Sequence, residues 1–349
     1  MSTTSTLPVV GFLGTGHIAT FHSKMLKISG VPMTRGGCFD IDIARAEKFA
    51  AASGHHVMTS EQDVIASSDI IYICTWTSEH QRLVDMCIAA GKPFFCEKPL
   101  SIGFTQAQQM TTTAARSSLT HQCGLILRRS PAYLWARELI TDAKAGAPMA
   151  VVFRDDQFIP IQGHYGSTWR SDVARAGAGT LLEHSIHDVD MLRFLVGDVR
   201  SVSARATYRH GIEGIEDVVA ASMTFDNGAV GTLTTIWHDN LSRPSLRNVE
   251  VFCEKRTVTI AGDDWFGPVT WSDADGTHGS LQGDDLLEKT LPLAVGDANP
   301  DGAFVKACVE KIPGFPDFSI ALEAHRIVEA MYASARSEGQ SVAVESIVQ

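Results

Sequence analysis

The chain has 349 residues, 44% of them hydrophobic, and a formal net charge of -11. A mean hydropathy of +0.03 over that length suits two packed domains and excludes a disordered chain. The acidic balance, with no long basic run, gives no electrostatic basis for a nucleic acid or an anionic membrane as partner.

The first residues, "MSTTSTLPVVGFLG", lack a basic stretch followed by a cleavable apolar segment, and no run of about 18 apolar residues follows. A cytoplasmic protein is expected. The seven cysteines stand singly, several within apolar runs, and read as buried thiols rather than as disulfides or metal ligands.

From Leu7 to about residue 125 short apolar runs alternate with helical patterns: "LPVVGFLG", "TRGGCFD", "HHVMT", "DIIYICT", "PFFCEK" and "HQCGLIL" are separated by amphipathic stretches. That alternation predicts a parallel sheet with crossover helices. Beyond Pro148 longer alternating strands appear in "MAVVFRDDQFIP", "VRSVSARATYR", "VVAASMTFDNGAVGTLTTIWHD" and "NVEVFCEKRTVTIAG", one pair joined through Asp226-Asn227-Gly228. The expected fold is α/β: a Rossmann dinucleotide-binding domain over 1–126, then an α+β domain over 127–349 with a large, mostly antiparallel, open-faced sheet. Helices are expected over 181–196, 302–312 and 319–337. The few helices of the second domain can cover only one sheet face, so the other is expected to pair with a like sheet in a homodimer or homotetramer.

"VVGFLGTGHIA" is a strand followed by G-x-G-x-x-A, with Gly14, Gly16 and Ala19 at the small positions. The first glycine makes the tight turn, the second lets backbone approach a pyrophosphate, and the alanine permits close helix–strand packing. Thr15, His17 and Ile18 complete the turn and open the helix. The second strand ends at Asp40, where a carboxylate would bind both ribose hydroxyls and repel a 2'-phosphate; no Arg or Ser immediately follows it, so NAD is expected rather than NADP.

"GKPFFCEKPL" places Glu97, Lys98 and Pro99 just after an apolar strand. In open parallel sheets ligands bind outside the carboxyl ends of strands, which aims Lys98 toward the cofactor.

"GTLLEHSIHDVDMLRFLVGD" crowds two histidines and several carboxylates onto one helical pattern. Leu182, Ile186, Val189, Leu192 and Val196 form its apolar stripe; Glu183, His187 and Asp190 fall along one side, and His184 and Asp188 form a neighbouring row. A solvated face is the bland reading for such charges. Zinc would need further ligands near His184 and His187, and no Cys pair or second histidine cluster is placed to supply them, so no metal is expected.

Together "GFLGTGHIATFH", "CTWTSEHQRLVDMCIAAGKPFFCEKPL", "GLILRRSPAY" and "WRSDVARAGAGTLLEHSIHDVDMLRFLVG" resemble the Gfo/Idh/MocA family of oxidoreductases over nearly the whole chain. The resemblance implies a nicotinamide-dependent dehydrogenase of a sugar, polyol or cyclitol. It places Lys98 at the family's catalytic lysine, His187 at its catalytic histidine and Glu183 at the acid one turn earlier. Thr75, Trp76, His80 and Glu97 join the cofactor-binding residues, and Arg128, Trp169 and Arg170 are candidates for the substrate pocket. On this reading Lys98 and His187 both contact the reacting oxygen, while Glu183 orients His187 or a second hydroxyl; His184 and Asp188 support them or are solvated. Two positions depart from the family pattern: Glu183 stands where Asp is usual, and Trp76-Thr77 replaces a Pro-Asn turn. The resemblance, with the need for a sharp turn after a buried strand, also predicts a cis Lys98–Pro99 bond. The alternatives are an NADP-linked reductase of a sugar-like ketone or dihydrodiol, and a sugar- or dinucleotide-sensing regulator that has lost the chemistry; intact Lys98 and His187 speak against the latter.

Overall fold

A computed structural model describes residues 7–163, 165–294 and 297–348. The chain forms two compact units: Met1–Ser101, Gln106–Gly124 and Val295–Ser319 make the first, and Ile102–Thr105, Leu125–Ala294 and Ile320–Gln349 the second. A segment late in the sequence, Val295–Ser319, thus belongs to the first unit.

The first unit holds six parallel strands, β1 (Val9–Leu13), β2 (Thr34–Phe39), β3 (His56–Val57), β4 (Ile70–Ile73), β5 (Phe94–Cys96) and β6 (His121–Cys123), in the order 3-2-1-4-5-6. This is the doubly wound nucleotide-binding order. Its central strands are near-continuous apolar runs because helices cover both faces; β4 is buried at every residue. The crossover helices are α1 (His17–Ile28), α2 (Ile43–Ser53), α3 (Glu61–Ser67), α4 (His80–Ala89) and α5 (Phe104–Ser117). Asp42 caps α2 by accepting from the Arg45 amide, and Gly54 ends it in the left-handed conformation. The core joins Val10, Phe12, Leu26, Phe49, Tyr72 and Phe95 to Phe304 and Val305. The last two come from the helix Pro300–Glu310.

The second unit is built on a nine-stranded sheet: β7 (Pro148–Phe158), β8 (Val199–Thr207), β9 (Val218–Phe225), β10 (Val230–His238), β11 (Leu246–Cys253), β12 (Arg256–Asp263), β13 (Gly267–Asp273), β14 (His278–Leu281) and β15 (Val342–Ala343), ordered 14-13-12-11-7-10-9-8-15. Every pairing is antiparallel except β7 with β10. Asp226-Asn227-Gly228 turns β9 into β10, with Gly228 at φ +89° and the Phe225 amide donating to Ala229 O. Strict alternation in β9 and β10 leaves one face buried and the other exposed. β13, β14, β15 and the helices Pro131–Thr141 and Gly283–Thr290 go beyond the elements legible in the sequence. The short strands and the eight-residue helix carry too few periods to register as patterns.

All seven cysteines are buried and none is in a disulfide, as their apolar surroundings predicted. Among the described residues no helix is long and apolar enough to cross a membrane.

Candidate functional site

In the first unit the loops after β1, β4 and β5 lie at one edge of the sheet because these strands are parallel neighbours. Backbone hydrogen bonds tie that edge together: Gly14 N–H donates to Phe39 O (2.9 Å), Cys74 N–H to Leu13 O (2.7 Å), Glu97 N–H to Ile73 O (3.0 Å) and Gly124 N–H to Cys96 O (2.9 Å). Gly14 sits at φ +82°, and a Cβ there would fall 2.6 Å from the Cys74 carbonyl oxygen. Only glycine meets both constraints. A Cβ on Gly16 would meet nothing within 4 Å, so the N-terminus of α1 opens onto free space. No acidic side chain occupies its first turn and none caps it. Its first-turn amides and dipole suit a phosphate.

Asp40 follows β2 with its side chain 6% exposed. Its Oδ2 accepts from the amide (2.9 Å) and hydroxyl (3.1 Å) of Thr15, and its Oδ1 from the Asp42 amide (2.9 Å). The carboxylate therefore braces the glycine turn. No Arg immediately follows Asp40 in the sequence, but one approaches it in the fold. Arg45 Nη1 lies 3.3 Å from Asp40 Oδ1, because the first turn of α2 brings a residue five positions on back over the strand end. The arrangement fits a dinucleotide: an open helix N-terminus for the pyrophosphate and a braced carboxylate at the position of the ribose.

Thr75 and Trp76 follow β4 and are partly exposed. His80 is 1% exposed; its Nδ1 lies 2.9 Å from Pro99 O and its Nε2 3.3 Å from Thr75 O. The ring brackets these two loops, and burial lowers its pKa. The Lys98–Pro99 bond is cis, as predicted. Lys98 is half-buried, whereas Glu97 is buried.

In the second unit the expected continuous helix is interrupted. Thr180–His184 is a π-helical turn, with the Ser185 amide donating to Thr180 O (2.8 Å), and the α-helix proper spans Ile186–Leu195. The wider turn shifts Glu183 and His184 out of the 3.6-residue phase assumed for 181–196. The apolar stripe is buried as expected, but so are Glu183 (2%), Asp188 (0%) and Asp190 (0%). A solvated face is excluded for these three carboxylates, Asp188 included.

Buried carboxylates need partners, and the fold supplies them. Arg170 Nε lies 2.7 Å from Glu183 Oε1, with its guanidinium over the Trp169 ring. Arg128 grips Asp190 through Nε and Nη2 at 2.7–3.0 Å. Arg247 of β11 reaches Asp188 (2.8 Å), Asp155 (3.0 Å) and Asp264 (2.5 Å), and His184 Nε2 pairs with Asp155 at 2.7 Å. Burial first, then the Asp155 carboxylate, push the Asp188 pKa up to about 7. His187 is half-buried. Ahead of the π turn, Glu216 accepts from the amides of Gly179 (2.8 Å) and Leu181 (2.9 Å) and from the Tyr332 hydroxyl (2.8 Å).

Asp155, Arg247, Asp264, Glu216, His22 and Asp301 escaped the sequence reading. A visible signal existed for some of them: Asp155 and Asp156 stand side by side in a strand whose first half is apolar, and His22 lies on the packed face of α1. Among the described residues no group of three His, Cys, Asp or Glu is arranged to hold a metal ion.

Residues 9–125 match the profile of an oxidoreductase family with an NAD-binding Rossmann fold, and residues 133–259 match the Gfo/Idh/MocA C-terminal domain. The chain belongs to the Gfo/Idh/MocA oxidoreductase family. Among curated members of that family it is 26% identical over 230 residues to 1,5-anhydro-D-fructose reductase of Ensifer adhaerens, covering 63% of this chain and 66% of the relative. It is 30% identical over 215 residues to inositol 2-dehydrogenase of Cereibacter sphaeroides, covering 60% of each. The match thus spans about 60 to 66% of these relatives' length. Solved structures extend the likeness in fold to almost the full chain. An oxidoreductase domain protein from Kribbella flavida superposes with a TM-score of 0.83 at 22% identity, covering 97% of this chain and all of that one. A levoglucosan dehydrogenase in complex with NADH gives 0.81 at 20% identity, covering 97% and 99%.

Proposed function

We propose that this Gfo/Idh/MocA protein is an NAD-dependent dehydrogenase that transfers hydride between a nicotinamide and a secondary alcohol or ketone of a sugar, polyol or cyclitol. The observation that carries the reading is the edge of the first sheet. There a glycine turn that tolerates no side chain, a carboxylate braced against it and Lys98 after β5 occupy the ends of parallel strands along one edge of the same sheet. The nicotinamide supplies the hydride chemistry when bound. Asp40 holds the ribose hydroxyls and the α1 N-terminus the pyrophosphate, with Thr15, His17 and Ile18 along the turn and Thr75, Trp76, His80 and Glu97 shaping the neighbouring loops.

Lys98 offers an ammonium to the reacting oxygen, and His187, whose ordinary pKa lies near neutrality, takes or returns the hydroxyl proton. Arg128, Trp169, Arg170 and Glu183 contribute to substrate recognition, Arg128 by way of its hold on Asp190. The inositol, anhydrofructose and levoglucosan in the names of related proteins are polyhydroxylated rings, which supports the substrate class. The acidic charge and buried thiols outside any disulfide suit a cytoplasmic protein without nucleic acid or membrane partner. The exposed face of the second sheet, with Met149, Val152 and Val230 about half exposed, suits a homodimer or homotetramer.

The test is a panel of inositols, hexoses, pentoses, glycosides and sugar acids with NAD and NADP, followed by nicotinamide absorbance. Reduction of NAD by a polyol is expected. Lys98→Met should lower kcat about 100-fold or more while NADH affinity stays within a few-fold. Silence across the panel with intact NADH binding would favour a sensor. One observation favours a second reading, an NADP-linked reductase: Arg45 stands beside Asp40, where a guanidinium would meet a 2'-phosphate.

A further inference from the structure

α1 carries a histidine that the nucleotide turn does not use. His22 is 1% exposed. Its Nε2 lies 2.7 Å from Glu97 Oε1 and its Nδ1 2.7 Å from Asp301 Oδ1. A neutral imidazole has one N–H and one lone pair, and a lone pair cannot face an ionised carboxylate oxygen at that distance. Two carboxylate contacts call for two N–H donors. Burial opposes the ring's charge, but Asp301 and then Glu97 outweigh it and raise the pKa to about 10. The same pairing holds Glu97 below the usual carboxylate range despite its burial.

The other oxygen of Glu97 is engaged on the neighbouring residue: Oε2 accepts the Lys98 amide at 3.1 Å. Gly124 closes the opposite side, since a Cβ there would fall 2.7 Å from Oε1 and 3.0 Å from Oε2. A ring that donates to one oxygen and a backbone that packs against both leave the carboxylate a single orientation. Asp301 restrains the ring in turn, and it is anchored in the first turn of Pro300–Glu310, within the same compact unit.

We propose that His22 and Asp301 are positioning residues for Lys98: an imidazolium held by Asp301 fixes the Glu97 carboxylate, and that carboxylate fixes the Lys98 peptide through a charge-assisted hydrogen bond. The proposal deepens the assignment of Lys98 to the reacting oxygen and rests on it. A neutral side chain at position 22 would remove the cation held between two buried carboxylates, and burial would then favour a proton on Glu97, with the Lys98 charge left to oppose it. Glu97 would then accept from the Lys98 amide as a neutral acid, with roughly half the strength. A loss of aim of about 1 Å at a reacting group can cost on the order of 100-fold in rate.

The full chain labelled with 15N histidine tests the cluster without substrate. Both His22 nitrogens should be protonated from about pH 6 to about pH 9, where an unperturbed histidine would lose its charge; a neutral tautomer at about pH 8 overturns the proposal. The Lys98 amide proton should resonate downfield and move upfield in Glu97→Gln, a near-isosteric change; an unmoved resonance counts against the clamp. In turnover, Glu97→Gln and Asp301→Asn should each lower kcat about 10-fold or more, with KM for the dinucleotide within about threefold in Asp301→Asn. Wild-type kcat in both folded variants, beside a crippled Lys98→Met, overturns the positioning role alone. Wild-type kcat in Lys98→Met overturns the assignment of Lys98 and the positioning role with it. If Asp301→Asn does not fold, the histidine spectrum and Glu97→Gln decide.

Discussion

Arg170 Nε stands 2.7 Å from Glu183 Oε1, and the Glu183 side chain is 3% exposed. The acid one turn before His187 is thus a buried anion neutralised by a partly exposed cation. Removing one member of such a pair strands a charge, which costs far more than the pair itself contributes.

Arg170→Ala is therefore expected to lower stability by about 3 kcal/mol, and Glu183→Gln, which removes the charge needing compensation, by clearly less. Urea unfolding at neutral pH measures both. A change under about 0.5 kcal/mol for Arg170→Ala would show that water hydrates Glu183 in place of the guanidinium.

The two histidines of this segment should separate function from stability. His187→Asn is expected to lower kcat about 100-fold, whereas His184→Asn should keep kcat within about tenfold and cost about 1–3 kcal/mol of stability, because buried Asp155 loses the imidazole 2.7 Å away. Turnover and urea midpoints on the same preparations measure the contrast. Equal losses of turnover would assign His184 to the chemistry.

Cofactor choice should follow Asp40 and Arg45 in opposite directions. The wild-type chain is expected to prefer NAD at least about tenfold in kcat/KM, since the carboxylate repels a 2'-phosphate. Asp40→Ser should erase most of that preference by freeing Arg45 for the phosphate, and adding Arg45→Ala should remove the gain with NADP. Better kcat/KM with NADP in the wild type would establish the second reading.

Asp188 should make stability fall as pH rises. Its pKa is raised to about 7 in the folded chain, against about 4 when unfolded. Between those values the folded state holds a proton that the unfolded state has released, so the contribution is complete below about pH 4 and is lost through about pH 7. In Asp188→Asn an amide replaces the titrating carboxyl. The stability of the wild type relative to this variant, from urea unfolding, should decline from about pH 5 to about pH 8. A constant difference across that range would mean that Asp188 is ionised throughout.

The open sheet face predicts an oligomer at micromolar concentration by light scattering. Val152→Glu and Val230→Glu, at side chains 44% and 53% exposed, should shift it to monomer without a large loss of thermal stability, because a charge is tolerated by water but not by a facing sheet. A monomeric wild type would remove the basis for a partner on this face.

The alternation of short apolar runs with helices, the glycine turn after the first strand, the acid Asp40 at the end of the second, the Glu97-Lys98-Pro99 segment and the Asp226-Asn227-Gly228 hairpin are local patterns. Each lies within a few residues of sequence, and its conformation follows from steric and burial preferences that neighbours impose on one another, so parallel and antiparallel halves could be read in order. The ion partners could not. Arg247 lies 59 residues from Asp188, and Asp301 lies 279 from His22; nothing local distinguishes these groups from solvated charges. The π turn at Thr180–His184 was hidden for a related reason, since a 3.6-residue wheel assumes regular bonds along the whole segment. Whether a carboxylate is wet or buried depends on what packs over it, and for Glu183, Asp188 and Asp190 only the assembled second unit decided that, because burial became tolerable once distant arginines were brought within hydrogen-bond reach.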